Sequence, residues 1–377
     1  MRKSTICLLL ASIIFVSRTA FGECEKCSPI KLGATLPLSG KLAFLGTQER
    51  DAFLMAVQDI NKEGGVSGRK IEIIVEDNQG EAKSAVTGVN KLLNVDNVDV
   101  ILSAFTHITQ AIKDLVARKE KLLIYASSNN SIAESNTRFF KDYVSAEESG
   151  AIIARAVGLS GRKRAYLLRE LSDACIDFHR SFRSVAKENG ISIVGTEEYN
   201  PGELDFRTIL LKLKSSNPDS IVCCTWRDAH IIMKQMDEMG MLDIPTFHIV
   251  APFLPEADTP AVRALYEKND AISTWYGFVE TSRDPIQLEF MKDFKARYGY
   301  LPRADAGFAY DDIRILAKAL NTCVSENAVD QNCLTKALLQ TEHVGVSGKL
   351  KFNRSGLSLR ETLLMKVENG QWKELSR

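Results

Sequence analysis

The 377-residue sequence carries no net charge, contains none of the common catalytic signatures and has only one long apolar run. Lys and Arg together number 48, as do Asp and Glu, so the overall charge gives no argument for binding nucleic acid or an anionic membrane. The sequence contains no GxSxG elbow, no HExxH pair and no Walker loop. These absences disfavour the hydrolases that such motifs identify. A cysteine acting with one of the five histidines is the best enzymatic alternative.

The single long apolar run, residues 6–16, follows two basic residues and precedes small residues that end at Gly22. This arrangement predicts a signal peptide, residues 1–22, that is cleaved after Gly22. The run is too short to remain as a membrane anchor. An acidic residue in front of Cys24 disfavours attachment of a lipid to that cysteine. We therefore expect a soluble protein that is exported to the periplasm.

Of the eight cysteines, Cys7 lies in the signal peptide, so seven remain. Cys323 and Cys333 flank a short polar link between two predicted helices, where an oxidising compartment would let them form a disulfide. Cys24 and Cys27 could form either a small disulfide loop or a metal-binding pair, although no second pair supports a metal site. The remaining three are expected to pack as small buried residues: Cys175, Cys223 and Cys224. Because seven is odd, at least one thiol should be free.

Apolar strands alternate with amphipathic helices along most of the chain, beginning with a strand at residues 30–36 and a helix at 47–61. This alternation predicts parallel sheets covered by helices. The pattern pauses near residues 142–149 and 276–284, and too few helices follow the second pause for a third domain. We predict an α/β fold of two doubly wound parallel-sheet lobes joined by a multi-strand hinge. The N-terminal lobe is expected to comprise residues 30–145 and 278–345, and the C-terminal lobe residues 146–277 with part of 345–377.

Residues 99–131 form the clearest single unit, a predicted strand–helix–strand in which small polar residues follow each strand. The strands are the apolar runs 100–102 and 122–125, and the helix is predicted at residues 109–119. Both polar clusters should lie at the carboxyl edge of a parallel sheet, where ligands bind. Thr106 and Thr109 also lie where a helix begins, and a helix N-terminus attracts anions. The unit indicates a pocket for a small carboxylate, although ordinary βα loops capped by Ser and Thr explain the same pattern.

Several short motifs occur at wide spacing from about residue 30 to 372. The first part carries IKLG at 30–33, PLSG at 37–40, DIN at 59–61, GGVSGR at 64–69 and EDN at 76–78. Later motifs are DF at 205–206, PD at 218–219, YD at 310–311, GVSG at 345–348 and FN at 352–353. In this order they resemble the type I periplasmic solute-binding proteins. They are most similar to the branched-chain amino acid (leucine/isoleucine/valine) receptors of ABC transporters.

The resemblance implies two hinged lobes that close on a ligand, without catalysis, cofactor or metal. The expected ligand is a branched-chain or related aliphatic amino acid, delivered to the permease subunits of an ABC transporter in the inner membrane. We expect a monomer with no nucleic-acid partner. A sensor lobe that reports ligand to a membrane receptor is an alternative with the same fold, although the chain shows no signalling domain of its own.

The candidate ligand-binding residues lie mainly in the first-lobe loops. By position, the resemblance assigns Thr106 to the ligand carboxylate, with Ser127 and Asn129 beside it. Trp226 matches an aromatic residue that covers the ligand from the second lobe, and Leu45 matches a position in the side-chain pocket. The full set of candidates is Leu45, Phe105, Thr106, His107, Ser127, Asn129, Trp226 and Asp305.

Two positions depart from the family pattern. Ala174 stands where members often have an aromatic residue, and the acid that pairs the ligand's ammonium should lie near Pro252, where the loop reads APFLPE. Glu256 or Asp258 would replace that acid after a shift of the loop, and Asp305 is a further candidate by position. Without such a carboxylate, an amino acid loses a charge-assisted hydrogen bond of roughly 1.5–3 kcal/mol. An aromatic or other organic acid without the amine is then the alternative ligand.

Overall fold

The computed structural model describes residues 27–225, 227–250, 257–276, 282, 284–360 and 362–375. Its strands are β1 (Ile30–Leu36), β2 (Ile71–Asp77), β3 (Val100–Ala104), β4 (Leu122–Ala126), β5 (Phe139–Lys141), β6 (Arg164–Glu170), β7 (Ser192–Tyr199), β8 (Ser220–Cys224), β9 (Thr246–Ile249), β10 (Ile272–Trp275), β11 (Glu342–Gly345), β12 (Gly348–Lys351), β13 (Leu363–Glu368) and β14 (Gln371–Glu374). Its helices are α1 (Ala43–Lys62), α2 (Ala82–Asn94), α3 (Thr106–Arg118), α4 (Ser131–Glu134), α5 (Ala146–Leu159), α6 (Asp173–Glu188), α7 (Arg207–Ser215), α8 (Ala229–Glu238), α9 (Pro260–Asn269), α10 (Pro285–Tyr298), α11 (Ala304–Leu320) and α12 (Gln331–Gln340).

The first sheet is wholly parallel, with the strand order β2-β1-β3-β4-β5. Every residue of β3 is buried, which explains why its first three residues are all apolar and do not alternate with polar ones. Because the strands run in one direction, the loops that follow β1, β3 and β4 meet at the same edge. This edge is where the candidate site begins.

The second sheet has the order β14-β13-β10-β9-β8-β6-β7. Strands β6 to β10 are parallel, whereas β13 pairs with β10, and β14 with β13, in antiparallel fashion. The prediction of an α/β fold with two doubly wound parallel sheets is confirmed, with an antiparallel pair of strands added at one edge of the second sheet.

The last part of the chain contributes to both halves. Helices α10 to α12 pack into the core of the first sheet, where Phe294, Ile313 and Leu334 share one cluster with Ile30. Strands β13 and β14 then return to the second sheet, and Trp372 belongs to its core. These contacts support discontinuous lobes, whose predicted limits stay a prediction.

Two segments that pass between the halves run side by side. The Lys141 backbone N–H donates a 2.7 Å hydrogen bond to the Gly356 carbonyl oxygen, and the Ser358 N–H donates one of 2.9 Å to the Lys141 carbonyl oxygen. Next to them, the buried Arg360 guanidinium forms two hydrogen bonds with the Asp142 carboxylate. Backbone pairing and a buried ion pair therefore hold these crossover segments together.

The elements that sequence reasoning missed are short. Strand β5 has three residues, and α4, β11 and β14 have four each, which is too few for a periodic pattern to be recognised. Helix α3 begins at Thr106, earlier than the predicted residue 109, because the chain turns sharply at Phe105. Within the part of the chain that the structure describes, no helix is both long and apolar enough to cross a bilayer.

The cysteines differ in part from expectation. The predicted disulfide between Cys323 and Cys333 is present, and Cys27 is also disulfide-bonded. Cys175, Cys223 and Cys224 are buried, as predicted. Cys175 and Cys224 also form a disulfide, which was not predicted and which joins the start of α6 to the end of β8. Their separation of 49 residues hid this contact, which only the sheet topology creates. Among the residues that the structure describes, Cys223 is a buried free thiol.

Candidate functional site

A cavity of about 540 Å³ lies between the two halves. Residues that follow β3 and β4 form the wall on the side of the first sheet, together with the starts of α1 and α11. Residues at the ends of β6, β8, β9 and β10 form the opposite wall. The cavity therefore lies at the carboxyl edges of both sheets, where the sequence predicted a pocket.

The start of α3 lies in the first wall of the cavity. Phe105 has a φ of +67°, a backbone conformation that residues other than glycine rarely adopt. Its N–H donates a 2.9 Å hydrogen bond to the Ala126 carbonyl oxygen. This bond joins the ends of β3 and β4, and α3 begins at once with Thr106, without a side-chain cap. Phe105, Thr106 and His107 all line the cavity. The free N–H groups of a helix start and a hydroxyl together favour a carboxylate there.

Ser127 and Asn129, both predicted to lie beside the ligand carboxylate, have different positions in the loop after β4. Ser127 is buried and lines the cavity. Asn129 lies instead in a neighbouring depression. Its carbonyl oxygen accepts a 3.1 Å hydrogen bond from the Tyr125 hydroxyl, and its side-chain oxygen accepts one of 2.8 Å from the Ser131 hydroxyl. These two bonds turn Asn129 away from the cavity.

The other candidates have different positions. Leu45, on α1, is buried and lines the cavity. The Nε2 atom of the exposed His107 ring lies 3.0 Å from the Gly80 carbonyl oxygen. This contact holds the ring at the rim of the cavity. Trp226 lies outside the described residues, as does the loop at 251–256 with its expected acid.

Asp258, considered as a replacement for that acid, has its own partners. It accepts hydrogen bonds of 2.6 and 2.9 Å from the Arg263 guanidinium and one of 2.8 Å from Trp372 Nε1. It is not among the described residues that line the cavity. The expectation that Asp258 reaches the ligand is therefore not supported, because Arg263 and Trp372 already hold its carboxylate.

Asp305 does line the cavity, together with Glu49 and Arg303, which sequence reasoning missed. Burial, followed by the charge of Asp305, raises the pKa of the Glu49 carboxyl well above its usual range. Burial also raises the pKa of Asp305, against the opposing effect of Arg303. The Arg303 backbone N–H donates a 2.6 Å hydrogen bond to Gln48 Oε1, which fixes the start of α11 against α1. Two carboxyl groups and one guanidinium thus meet at one corner of the cavity.

A signal for Glu49 exists in the sequence. It lies four residues after Leu45 and four before Phe53, so all three share the apolar face of α1. An acidic side chain on a face that packs into a core needs a partner or a function. Among the residues that the structure describes, no group of three His, Cys, Asp or Glu side chains could hold a metal ion.

The second wall is largely apolar and aromatic. Tyr276 stacks on Trp275 with 5.1 Å between ring centres and meets the edge of Tyr143 at 4.6 Å. The Cys175–Cys224 disulfide also lines this wall, beside Ala174. Glu170, at the end of β6, adds a carboxylate. The cavity therefore combines an uncapped helix start, an acidic corner and an apolar wall, as in typical small-molecule sites.

Known proteins resemble this chain over most of its length. A family model described as periplasmic binding protein matches residues 29–371. Leu/Ile/Val-binding protein homolog 7 of Brucella suis biovar 1 is 23% identical over an alignment of 392 positions, gaps included. The alignment covers 98% of this chain and 96% of that protein.

Solved structures with the same fold include two from ABC transporters. The branched-chain amino acid transporter substrate binding protein LivJ of Streptococcus pneumoniae, in complex with isoleucine, gives a TM-score of 0.79 at 24% identity, with 92% of this chain and 99% of that chain covered. A solute binding protein of an ABC transporter from R. palustris, in complex with benzoate, gives a TM-score of 0.78 at 18% identity. That comparison covers 92% of this chain and 96% of the other. At these identities the likeness establishes the fold.

Proposed function

The chain belongs to the periplasmic binding protein family, as its motifs predicted, and within that family we propose that it is the solute-binding component of an ABC importer. Its ligand is a small carboxylate, in the first instance a branched-chain or related aliphatic amino acid. The protein binds and releases this ligand without catalysis and delivers it to permease subunits in the inner membrane.

The observation that carries the proposal is the uncapped start of α3 at the cavity wall. Thr106 contributes a hydroxyl and the first N–H groups of α3 contribute donors, while the buried Ser127 adds a second hydroxyl from the neighbouring loop. Such donors bind a carboxylate through charge-assisted hydrogen bonds and the helix dipole. The hydroxyl positions are those that the sequence resemblance assigns to the ligand carboxylate.

The two-sided cavity suggests how binding is converted into transport. A ligand held by the first wall gains contacts with the second wall only when the two halves approach each other. It therefore favours a closed arrangement by its differential affinity for that state. We expect the closed form to be recognised by the permease. The expected location is the periplasm, reached through the predicted signal peptide, and the expected state is a monomer.

A second ligand class is favoured by the aromatic wall. Tyr143, Trp275 and Tyr276 offer ring faces and edges to an aromatic acid, and a protein of the same fold was crystallised with benzoate. An aromatic or other non-amino organic acid is therefore the alternative ligand.

Thermal-shift measurements with a panel of aliphatic amino acids and aromatic acids test this function, because a ligand that binds the native state raises Tm. Thr106→Ala should weaken binding of any active compound about tenfold, since it removes a hydrogen bond to a charged group. The matched control is Thr87→Ala, an exposed threonine on α2. Absence of a shift with every compound, or equal affinities for the two variants, would show that the ligand class or the placement of its carboxylate is wrong.

A further inference from the structure

Glu49 is a buried acidic side chain in the cavity wall that has no cation of its own as a partner in the described part of the chain. The residue is 6% exposed, and its Oε2 atom is buried without a hydrogen-bond partner among the described residues. Its neighbours at this corner are Asp305 and Arg303, and the Arg303 Nε atom is also buried without a partner. A buried polar atom without a partner costs free energy, so this corner is completed only when another group binds there.

The charges at this corner show what that group should be. Arg303 can balance one carboxylate, but Glu49 and Asp305 provide two. Without a second cation, the pair must retain a proton, which agrees with the raised pKa of Glu49 that burial and Asp305 cause. A cationic group of a ligand can take the place of this proton and supply the missing charge.

The remaining titratable and charged groups near Glu49 do not supply that cation. Arg303 and Asp305 start α11, Asp312 lies further along α11, and Tyr143 follows β5. Burial, together with Asp305 and Glu49, raises the pKa of Tyr143, so its hydroxyl stays neutral. Glu170, which also lines the cavity, is an acid. His107 is exposed at the rim, where its Nε2 atom lies 3.0 Å from the Gly80 carbonyl oxygen.

We propose that Glu49, together with Asp305 and Arg303, binds an ammonium group of the ligand, so that the ligand is an amine-bearing carboxylate and not a plain organic acid. This inference rests on the proposed function and decides between its two ligand classes. It assigns recognition of the amine to the first half of the protein, at the corner formed by α1 and α11. The carboxylate of the same ligand lies at the start of α3.

Calorimetry with matched ligand pairs tests the proposal. Leucine and isocaproate differ only in the amine, and phenylalanine and hydrocinnamate form an aromatic pair. Wild type should prefer the amine-bearing member by at least tenfold, and Glu49→Gln should remove most of this preference. Glutamine has the shape of the protonated glutamic acid, so the variant should keep the fold, and its Tm without ligand verifies this.

The matched control is Asp51→Asn, which removes the same charge from the same helix. The Asp51 carboxylate is buried, but it accepts hydrogen bonds of 2.7 Å from Arg50 and from the Tyr300 hydroxyl and lies outside the cavity lining. It should retain the preference for the amine. Because the ammonium replaces a proton, the affinity of wild type for the amino acid should also rise from acidic to neutral pH, and Glu49→Gln should reduce this rise.

Failure of this inference and failure of the proposed function would give different results. If Glu49→Gln keeps the full preference for the amine, or if the plain acids bind best with an affinity that falls as the pH rises, Glu49 does not bind an ammonium and the inference fails while the proposed function stands. If none of the four compounds binds to wild type, the proposed function fails and the inference fails with it.

Discussion

Replacing Arg360 with methionine would remove the cation that holds the crossover segments together. The Arg360 side chain is 2% exposed, and its Nε and Nη2 atoms donate hydrogen bonds of 2.5 Å to the two carboxylate oxygens of Asp142. Its Nη1 atom donates bonds of 2.9 and 2.8 Å to the carbonyl and hydroxyl oxygens of Ser347. The guanidinium also lies 4.3 Å from the ring centre of Phe308. One side chain thus connects two crossover segments with α11.

We expect Arg360→Met to reduce the free energy of unfolding by about 3–5 kcal/mol, because Asp142 would remain buried without a cation. Burial and the adjacent Asp142 raise the pKa of Asp312 well above its usual range, so Asp312 keeps its proton. Asp142, both of whose carboxylate oxygens accept hydrogen bonds from Arg360, is the acid that this guanidinium pairs with. A double variant, Asp142→Asn with Arg360→Met, removes the unpaired charge and should recover most of the loss.

Urea unfolding, followed by circular dichroism, measures these differences. The control is Lys373→Met, whose partner Glu368 lies 3.2 Å away in a pair with about half of each side chain exposed. Such a surface pair contributes at most about 1 kcal/mol. If Arg360→Met is no less stable than Lys373→Met, the buried pair does not hold the crossovers. If the double variant is no more stable than Arg360→Met alone, the unpaired carboxylate is not the cause of the loss.

Two further predictions concern the disulfides and a buried lysine. Chain-entropy arguments give about 4 kcal/mol for the Cys175–Cys224 bridge, which spans 49 residues, and about 2.7 kcal/mol for Cys323–Cys333, which spans 10. Denaturation should therefore show a larger loss for Cys224→Ser than for Cys333→Ser, and calorimetry should show weaker ligand binding only for Cys224→Ser; equal losses would contradict this. Burial lowers the pKa of Lys141 from 10.5 to about 8, so between these values the unfolded chain binds more protons and stability rises with pH. Relative to Lys141→Met, the unfolding free energy of wild type should gain about 3 kcal/mol over this range, and a constant difference between the two proteins would refute the assignment.

The sequence predicts those parts of the site that follow from local pattern and sheet direction. Apolar runs identify β3 and β4, and parallel strands bring the loops after them to one edge, which is why Thr106 and Ser127 reach the same cavity. The same reasoning fails for Asn129, because hydrogen bonds with Tyr125 and Ser131 decide which way it faces. A pattern of residue types contains no information on such bonds.

Contacts between distant segments are harder to predict. Nothing in the spacing shows whether Cys175 pairs with Cys223 or with Cys224, since both of these end the same apolar strand. The disulfide forms because β6 and β8 are neighbours in the sheet, which brings the start of α6 beside the end of β8. The partners of a cysteine are therefore a result of the strand order, and the strand order was not predicted.

Helix α11 shows how the acidic corner of the site follows from a general rule. Its apolar pattern predicts a buried helix, yet it carries Asp305, Asp311 and Asp312, and buried carboxylates are costly unless each has partners. Asp311 accepts hydrogen bonds from two backbone N–H groups at residues 346–347, and Asp312 lies beside the ion pair of Arg360. Asp305 shares its neighbouring cation, Arg303, with a second acid of the cavity wall, Glu49. The protein supplies hydrogen-bond donors for Asp311, and Asp312 keeps its proton, whereas Asp305 faces the cavity beside Glu49. The cavity is therefore the place where the proposed cationic group of a ligand would stabilise the helix.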